Sequence, residues 1–196
     1  MDLSPITLEG RHVRLEPLAI DHHDRLVEAA ADGSLWELRV TTVPPPEEMA
    51  GFIKTILYAR EQEHEVPFTI LHKPSGRVVG LTRFLDIDPP HRKVEIGGTW
   101  LAESWQRSAI NTEAKFLLLR HAFEAWACIR VQFVTDVLND RSRAALLRIG
   151  AKEEGILRYE MIMRDGRYRD SVCFSIIEPE WPAVKAALQA KLEKQY

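Results

Sequence analysis

The sequence predicts a single α/β (α+β) domain over residues 1–196: a mixed, mostly antiparallel sheet of seven strands flanked by helices. Three observations carry that expectation. With 196 residues, 45% of them hydrophobic and 28% charged, the chain is long enough to bury one sizeable core without disulfide or metal staples. Segments of period 2 and period 3.6 take turns along it. The runs Lys73-Pro74-Ser75-Gly76 and Asp165-Gly166 stand between strand-like segments and mark hairpins.

Residues 12–18 alternate, with Val13 and Leu15 on one face and Arg14 and Glu16 on the other, and read as a strand followed by a helix that Asp21 caps. The stretch Thr42-Val43-Pro44-Pro45-Pro46 is a rigid loop feeding a second helix over 47–60. Strands over 66–72, 78–86 and 93–101 should form an antiparallel meander. The run Glu61-Gln62-Glu63-His64-Glu65 before them reads as a solvated helix end. Ile110, Ala114, Leu117, Leu118, Ala122 and Ala125 then recur at helical spacing and place a long helix over 111–126, with Asn111 or Thr112 as its cap. A strand over 130–137 leads to a helix over 139–149 closed by Gly150. Two long strands, 153–164 and 168–177, flank the Asp165-Gly166 turn. A helix over 180–195 ends the chain, with Val184, Leu188 and Leu192 on one face that would suit a homodimer contact.

Composition narrows the chemistry by exclusion. Twenty-six Lys+Arg against 29 Asp+Glu leave a net charge of −3, so no basic excess is available to hold a nucleic-acid backbone. Cys128 and Cys173 have no ligand spacing, and the seven histidines show no pattern such as HExxH, so no metal site is expected. No apolar run approaches the ~18 residues that a membrane span needs. A reducing, cytoplasmic setting is the expectation.

The most informative segment is Trp105-Gln106-Arg107-Ser108-Ala109-Ile110-Asn111-Thr112-Glu113-Ala114, a loop joining a strand to the start of the long helix. A helix start offers unpaired backbone N–H groups and the positive end of the dipole, which together bind phosphate, and Arg107 adds a charge-assisted contact. Neither GxGxxG nor GxxxxGK[ST] occurs, so Rossmann and P-loop sites lose support. This run resembles the [Q/R]-x-x-G-x-[G/A] loop of the GCN5-related N-acetyltransferase family. Gln106, Arg107, Ser108, Ala109, Ile110 and Asn111 occupy its positions, and Thr112-Glu113-Ala114 follows like that family's T-E-A. Ala109 and Asn111 depart from the glycine or alanine usual there, and side chains at these positions would narrow the cradle or redirect the backbone.

A second segment agrees. Asn139-Asp140-Arg141-Ser142, Ile149-Gly150-Ala151 and Glu154-Gly155-Ile156-Leu157-Arg158 are similar to the corresponding run of the RimJ/RimL-like branch, as are Glu180-Trp181-Pro182 and the opening 8–15. That resemblance implies a GNAT-like fold and an acetyl-CoA-dependent N-acyltransferase. Its acceptor would be a primary amine, on a ribosomal or other protein N-terminus or on a small molecule. Coenzyme A would lie against the strand ending at Leu101, with its pyrophosphate on Gln106, Arg107, Ser108, Ala109, Ile110, Asn111 and Thr112, and with Asn139 and Ser142 beside its pantetheine and sulfur.

Acyl transfer from a thioester to an amine needs a neutral amine, a stabilised oxyanion and a proton for the leaving thiolate. Gly97-Gly98, inside the strand before the loop, suggests a bulge or close backbone approach. Glu95 is the candidate base if strand parity turns it inward; facing outward it is a surface or salt-bridged residue. The family's usual tyrosine acid is replaced by Leu146, which leaves the Ser142 hydroxyl as a donor to the thiolate. Asn139 either caps its helix or contacts pantetheine. Trp36 and Trp100 are the candidates for an acceptor pocket. A non-catalytic acyl-CoA-binding module is the alternative, motivated by Ala109, Asn111 and Leu146.

Overall fold

The computed structural model describes residues 1–194, so Gln195, expected at the end of the last helix, lies outside the described residues. One sheet runs in the order β1-β2-β3-β4-β5-β6-β8-β7. Its strands are β1 (Leu8–Glu9), β2 (Val13–Pro17), β3 (Val66–His72), β4 (Arg77–Asp88), β5 (Lys93–Leu101), β6 (Arg130–Asp136), β7 (Lys152–Ile162) and β8 (Tyr168–Ile177). The strand beyond the expected seven is β1, whose two residues are too few for alternation to reveal. Every neighbouring pair is antiparallel except β5 and β6, which are parallel.

The helices are α1 (His23–Ala31), α2 (Met49–Glu61), α3 (Ala109–Arg120), α4 (Asp140–Arg148) and α5 (Trp181–Lys194). Asp21 does not cap α1. It sits inside a 3-10 turn, Ile20–His22, that precedes the helix, and the backbone N–H of Ala19 is taken by His22 Nδ1 at 3.1 Å. Similarly, α3 starts two residues earlier than Asn111, because Ser108 is its N-cap and accepts the Ile110 N–H at 3.3 Å. After Arg120 the helix widens into a π-turn, His121–Ala125. Among the described residues no helix is long and apolar enough to cross a membrane.

Side-chain alternation sends the sheet's apolar residues into two clusters, one on each face. Leu15, Phe68, Ile70, Phe84, Ile96, Phe133 and Phe174 pack under α3 and α5. Leu71, Leu81 and Trp100 pack under α1 and α2 with Leu26, Met49, Ile53 and Ile56. The α5 stripe is covered within the chain: Val184 and Leu188 belong to the first cluster with α3.

One polar contact ties the N-terminal strands to this core. Glu113 of α3 is only 5% exposed, and its carboxylate accepts three backbone N–H groups of the β1–β2 turn, from Arg11 at 2.7 Å, His12 at 2.8 Å and Val13 at 2.7 Å. A side chain at Gly10 would collide with it, since a Cβ there would stand 2.5 Å from Glu113 Cδ. A buried carboxylate is stable in such a place because its charge is divided among donors that would otherwise be unpaired. A glutamine in its place sets an amide N–H against a backbone N–H, so Glu113→Gln should cost roughly 2–4 kcal/mol and lower Tm by roughly 5–15 °C. Thermal unfolding followed by circular dichroism checks this, and an unchanged Tm would contradict the assignment.

Candidate active site

The site begins where two parallel strands part. β5 pairs with β6 only at Lys93↔Arg130, Val94↔Val131 and Glu95↔Gln132, so from Ile96 to Leu101 the β6 side of β5 has no strand partner. On its other side β5 keeps its pairing with β4 but shifts register between Leu81↔Trp100 and Arg83↔Gly97, a bulge that places the extra residue at 98–99. Gly98 there has φ +56°, and a Cβ on it would lie 2.3 Å from Arg83 Nε; a Cβ on Gly97 would lie 2.6 Å from Glu95 Oε1. The Gly-Gly pair therefore clears space for two charged side chains that lie close against the β5 backbone.

Glu95 faces inward. It is 8% exposed, and its Oε2 accepts from Gln132 Nε2 at 3.1 Å. Burial pushes its carboxyl up to about 7, and the nearby Asp86 and Glu160 charges add to that rise against the hydrogen bond from Gln132 and the pull of Arg169. It lines a cleft of about 590 Å3 together with Arg83, Asp86, Gln132, Glu160 and Arg169. Arg83 is paired with Glu65 at 2.8 Å, so Glu65 is not a solvated helix end but part of this wall. With that pair neutral, Glu95, Asp86 and Glu160 outnumber Arg169. The surroundings favour a cation.

The strands of the β7–β8 hairpin close one side through Leu157, Glu160, Met161 and Arg169. Arg167 donates to Asp136 Oδ2 at 2.5 Å and to the Arg39 carbonyl at 3.1 Å, Arg39 pairs with Asp165 at 2.9 Å, and Arg164 pairs with Glu48 at 2.7 Å. These contacts strap the hairpin to the segment between α1 and α2.

At the far end of β5, Gln106 joins two elements: Nε2 donates to the Leu101 carbonyl at 2.9 Å and Oε1 accepts from Arg141 of α4 at 3.1 Å. Arg107 follows in the left-handed region at φ +59°, exposed and without an ion pair among the described residues. Ser108 caps α3 and donates to the Trp105 carbonyl at 2.6 Å. Ala109 is 2% exposed and Ile110 3%, so their side chains enter the core and do not narrow the loop. The left-handed residue is Arg107, not Ala109, so the alanine there bears no left-handed strain. Thr112 is also buried, while Asn111 is half-buried. Across the gap, Asn139 caps α4 by accepting the Ser142 N–H at 3.0 Å, and Ser142 lies on the helix's first turn. Trp100 is buried under α1 and α2, and Trp36 packs against that same cluster, so neither lines the Glu95 cleft. The bulge leaves Trp100 on the same face of β5 as Glu95, and its place further along the strand puts it under α1 and α2 instead.

Comparison with known proteins follows the same outline. The family described as Acetyltransferase (GNAT) domain matches residues 12–152. The chain belongs to the GNAT acetyltransferase family. Among GNAT relatives, YdaF of Bacillus subtilis (strain 168), named for ribosomal N-acetyltransferase activity, is 34% identical over 110 residues, a match spanning 56% of this chain and 59% of YdaF, less than two thirds of that relative. An acetyltransferase crystal structure from T. thermophilus is 38% identical, with 98% of this chain and 100% of that one covered and a TM-score of 0.85. Mycobacterium smegmatis RimJ in complex with CoA-disulfide shares the fold, with TM-score 0.81, 24% identity and 96% of both chains covered. The match to YdaF supports the RimJ/RimL-like branch of the GNAT family.

Sequence reasoning missed Arg83, on the neighbouring strand β4, and Gln132, Glu160 and Arg169, which come from β6, β7 and β8 further along the chain. It also passed over Lys115, which interrupts the buried run 112–119 and is visible as a charge in an apolar helix. Among the described residues no group of three or more His, Cys, Asp or Glu is placed to hold a metal ion.

Because Glu95 holds its proton more tightly in the folded chain than in the unfolded one, it stabilises fully only below the unfolded value near 4.5, and that contribution is lost as pH rises to about 7. Glu95→Gln removes the burden. The variant should be more stable than the parent at pH 8 by roughly 1–3 kcal/mol, with the gain shrinking toward pH 4.5, as urea unfolding at several pH values would reveal.

Proposed function

We propose that the chain is an acetyl-CoA-dependent N-acyltransferase that moves the acetyl group to a primary amine by direct attack within a ternary complex. The observation that carries this reading is the carboxylate of Glu95, buried beside a bulged strand whose far edge is free. The coenzyme fits the residues at the end of that edge: exposed Arg107 and the positive end of the α3 dipole suit its pyrophosphate. Acetyl-CoA supplies the activated thioester.

The acidic cleft draws in the acceptor as its ammonium form. Glu95, with a pKa near neutrality, removes the proton and frees the lone pair. Backbone N–H groups along the unpaired edge of β5 are the donors available to the oxyanion. Ser142, on the first turn of α4, is a hydroxyl donor on the opposite wall. The resemblance to the RimJ/RimL-like branch suggests a protein N-terminus as acceptor, and a small amine remains the second member of the class. A non-catalytic acyl-CoA-binding module, the alternative that Ala109, Asn111 and Leu146 motivate, would not need a base with a raised pKa.

Thiol release from acetyl-CoA over a panel of peptides with different N-termini and of small amines tests the reading. Turnover with at least one amine is expected, with an acidic limb of kcat/KM near pH 7 that reports Glu95. Glu95→Gln should lower kcat about 100-fold or more. Tight CoA binding without turnover of any amine would instead favour the module.

A further inference from the structure

The acyl transfer leaves one buried charge unassigned. Lys115 lies in α3 and is only 5% exposed. Its Nζ donates to Thr99 Oγ1 at 2.6 Å, and Thr99 Oγ1 is itself 2.7 Å from Thr82 Oγ1 of β4. On the other side Nζ stands 5.8 Å from the centre of the Phe133 ring on β6. The ammonium therefore reaches from the helix to the bulge of β5 with β6 across from it, at the level where those two strands have already separated. An ammonium has three N–H donors. Thr99 takes one, and among the described residues Lys115 has no ion pair. Left in that state a buried amine costs stability, and an apolar side chain of similar length would suit the neighbouring Phe133 ring better.

The reaction needs an acid at this gap, because the CoA sulfur leaves with an electron pair and Leu146 occupies the place where many relatives carry a tyrosine. We propose that Lys115 is a further catalytic residue of the acyl transfer, the general acid that protonates the departing thiolate from the α3 side of the parted strands. The proposal rests on the acyltransferase reading above. The acceptor's ammonium proton first leaves through Glu95 to solvent. The amine lone pair then forms the C–N bond, the C–S bond breaks with its electrons on sulfur, an Nζ–H bond breaks and an S–H bond forms. The second proton, lost from nitrogen as the amide forms, resides on Glu95, so the pair ends as neutral Glu95 and neutral Lys115 and is restored by exchange with solvent.

The energetics agree with the geometry. Burial lowers the Lys115 ammonium to about 7, with Glu95 the charge that opposes this fall. A donor near 7 gives its proton downhill to a thiolate whose conjugate thiol lies at about 8.5. Thr99, Thr82 and Phe133 are neutral, Glu113 is occupied by the β1–β2 turn, and Asp86, Glu160 and Arg169 act on Glu95.

Steady-state kinetics of Lys115→Met and Lys115→Gln, with acetyl-CoA and an amine that the parent protein acetylates, test this. Both variants should lose about 30- to 100-fold in kcat with KM for acetyl-CoA within about 3-fold. The parent-to-variant ratio of kcat should shrink as pH rises from about 6 to about 9, because the parent sheds the proton that the variants never had. Lys115→Met should melt at or above the parent temperature, a result no packing role for the lysine would give. A kcat within about 3-fold of the parent, a ratio flat with pH, or failure of both variants to fold would overturn the assignment. Should the parent itself acetylate no amine, the acyltransferase reading fails, separately from the role of Lys115.

Discussion

Everything at the site depends on how briefly β5 and β6 stay together. A parallel pair of this kind normally continues for the length of its strands, but here three residue pairs hold the base and the rest diverges. The last of the three is secured by side chains as well as backbone, through the Gln132 to Glu95 hydrogen bond. Below it, Arg130 is gripped by both oxygens of Glu154 on β7, each at 2.6 Å, so the base of the fork is braced across β8. A strand whose partner leaves it exposes N–H and C=O groups in the middle of a sheet. In a protein without a ligand for them that would be a defect.

Parting the strands also makes the sheet permeable to chemistry. Glu95 belongs to the face toward the hairpin strap, and Lys115 approaches the bulge of β5 from the opposite face, so the proposed base and acid would flank the same opening. A continuous sheet would have separated them by a layer of backbone. Both side chains are held near neutrality by burial, one raised and one lowered, and such opposed shifts are how a single fold keeps an acid and a base ready at the same pH. The surrounding core bears the cost. Two apolar clusters, with Phe68, Phe84, Phe133 and Phe174 fully enclosed, supply the excess stability that the site gives up.

The order of elements is legible in the sequence because period and punctuation are local. The meander of β3, β4 and β5, the β7–β8 hairpin and the helices after Trp105 and Asn139 fall where alternation, Gly turns and helical spacing put them. The pattern misleads where a cap competes with its neighbours. Ser108, not Asn111 or Thr112, captures the first N–H of α3, and a 3-10 turn absorbs Asp21. At the site, Glu95 and the loop at 106–112 are readable, since each lies beside a local signal, the Gly-Gly bulge and the helix start. Trp100 shares the face of Glu95, because the extra residue at that bulge reverses the parity after it, but it lies further along β5 and packs under α1 and α2 rather than in the cleft. Gln132, Glu160 and Arg169 come from strands joined to Glu95 only through the sheet order, which no local pattern encodes.

The Glu113 clamp bears on how the chain comes to be folded. The turn at residues 10–13 obtains its acceptor from a side chain about a hundred positions later, at separations of 100 to 102. As the polypeptide leaves the ribosome, β1 and β2 emerge before α3, and they cannot be secured until α3 has been made. The β1–β2 hairpin is thus secured late although it is made before its anchor, a long-range closure of the sort that slows folding. Its three amide protons would serve as a natural clock for the docking of the central helix.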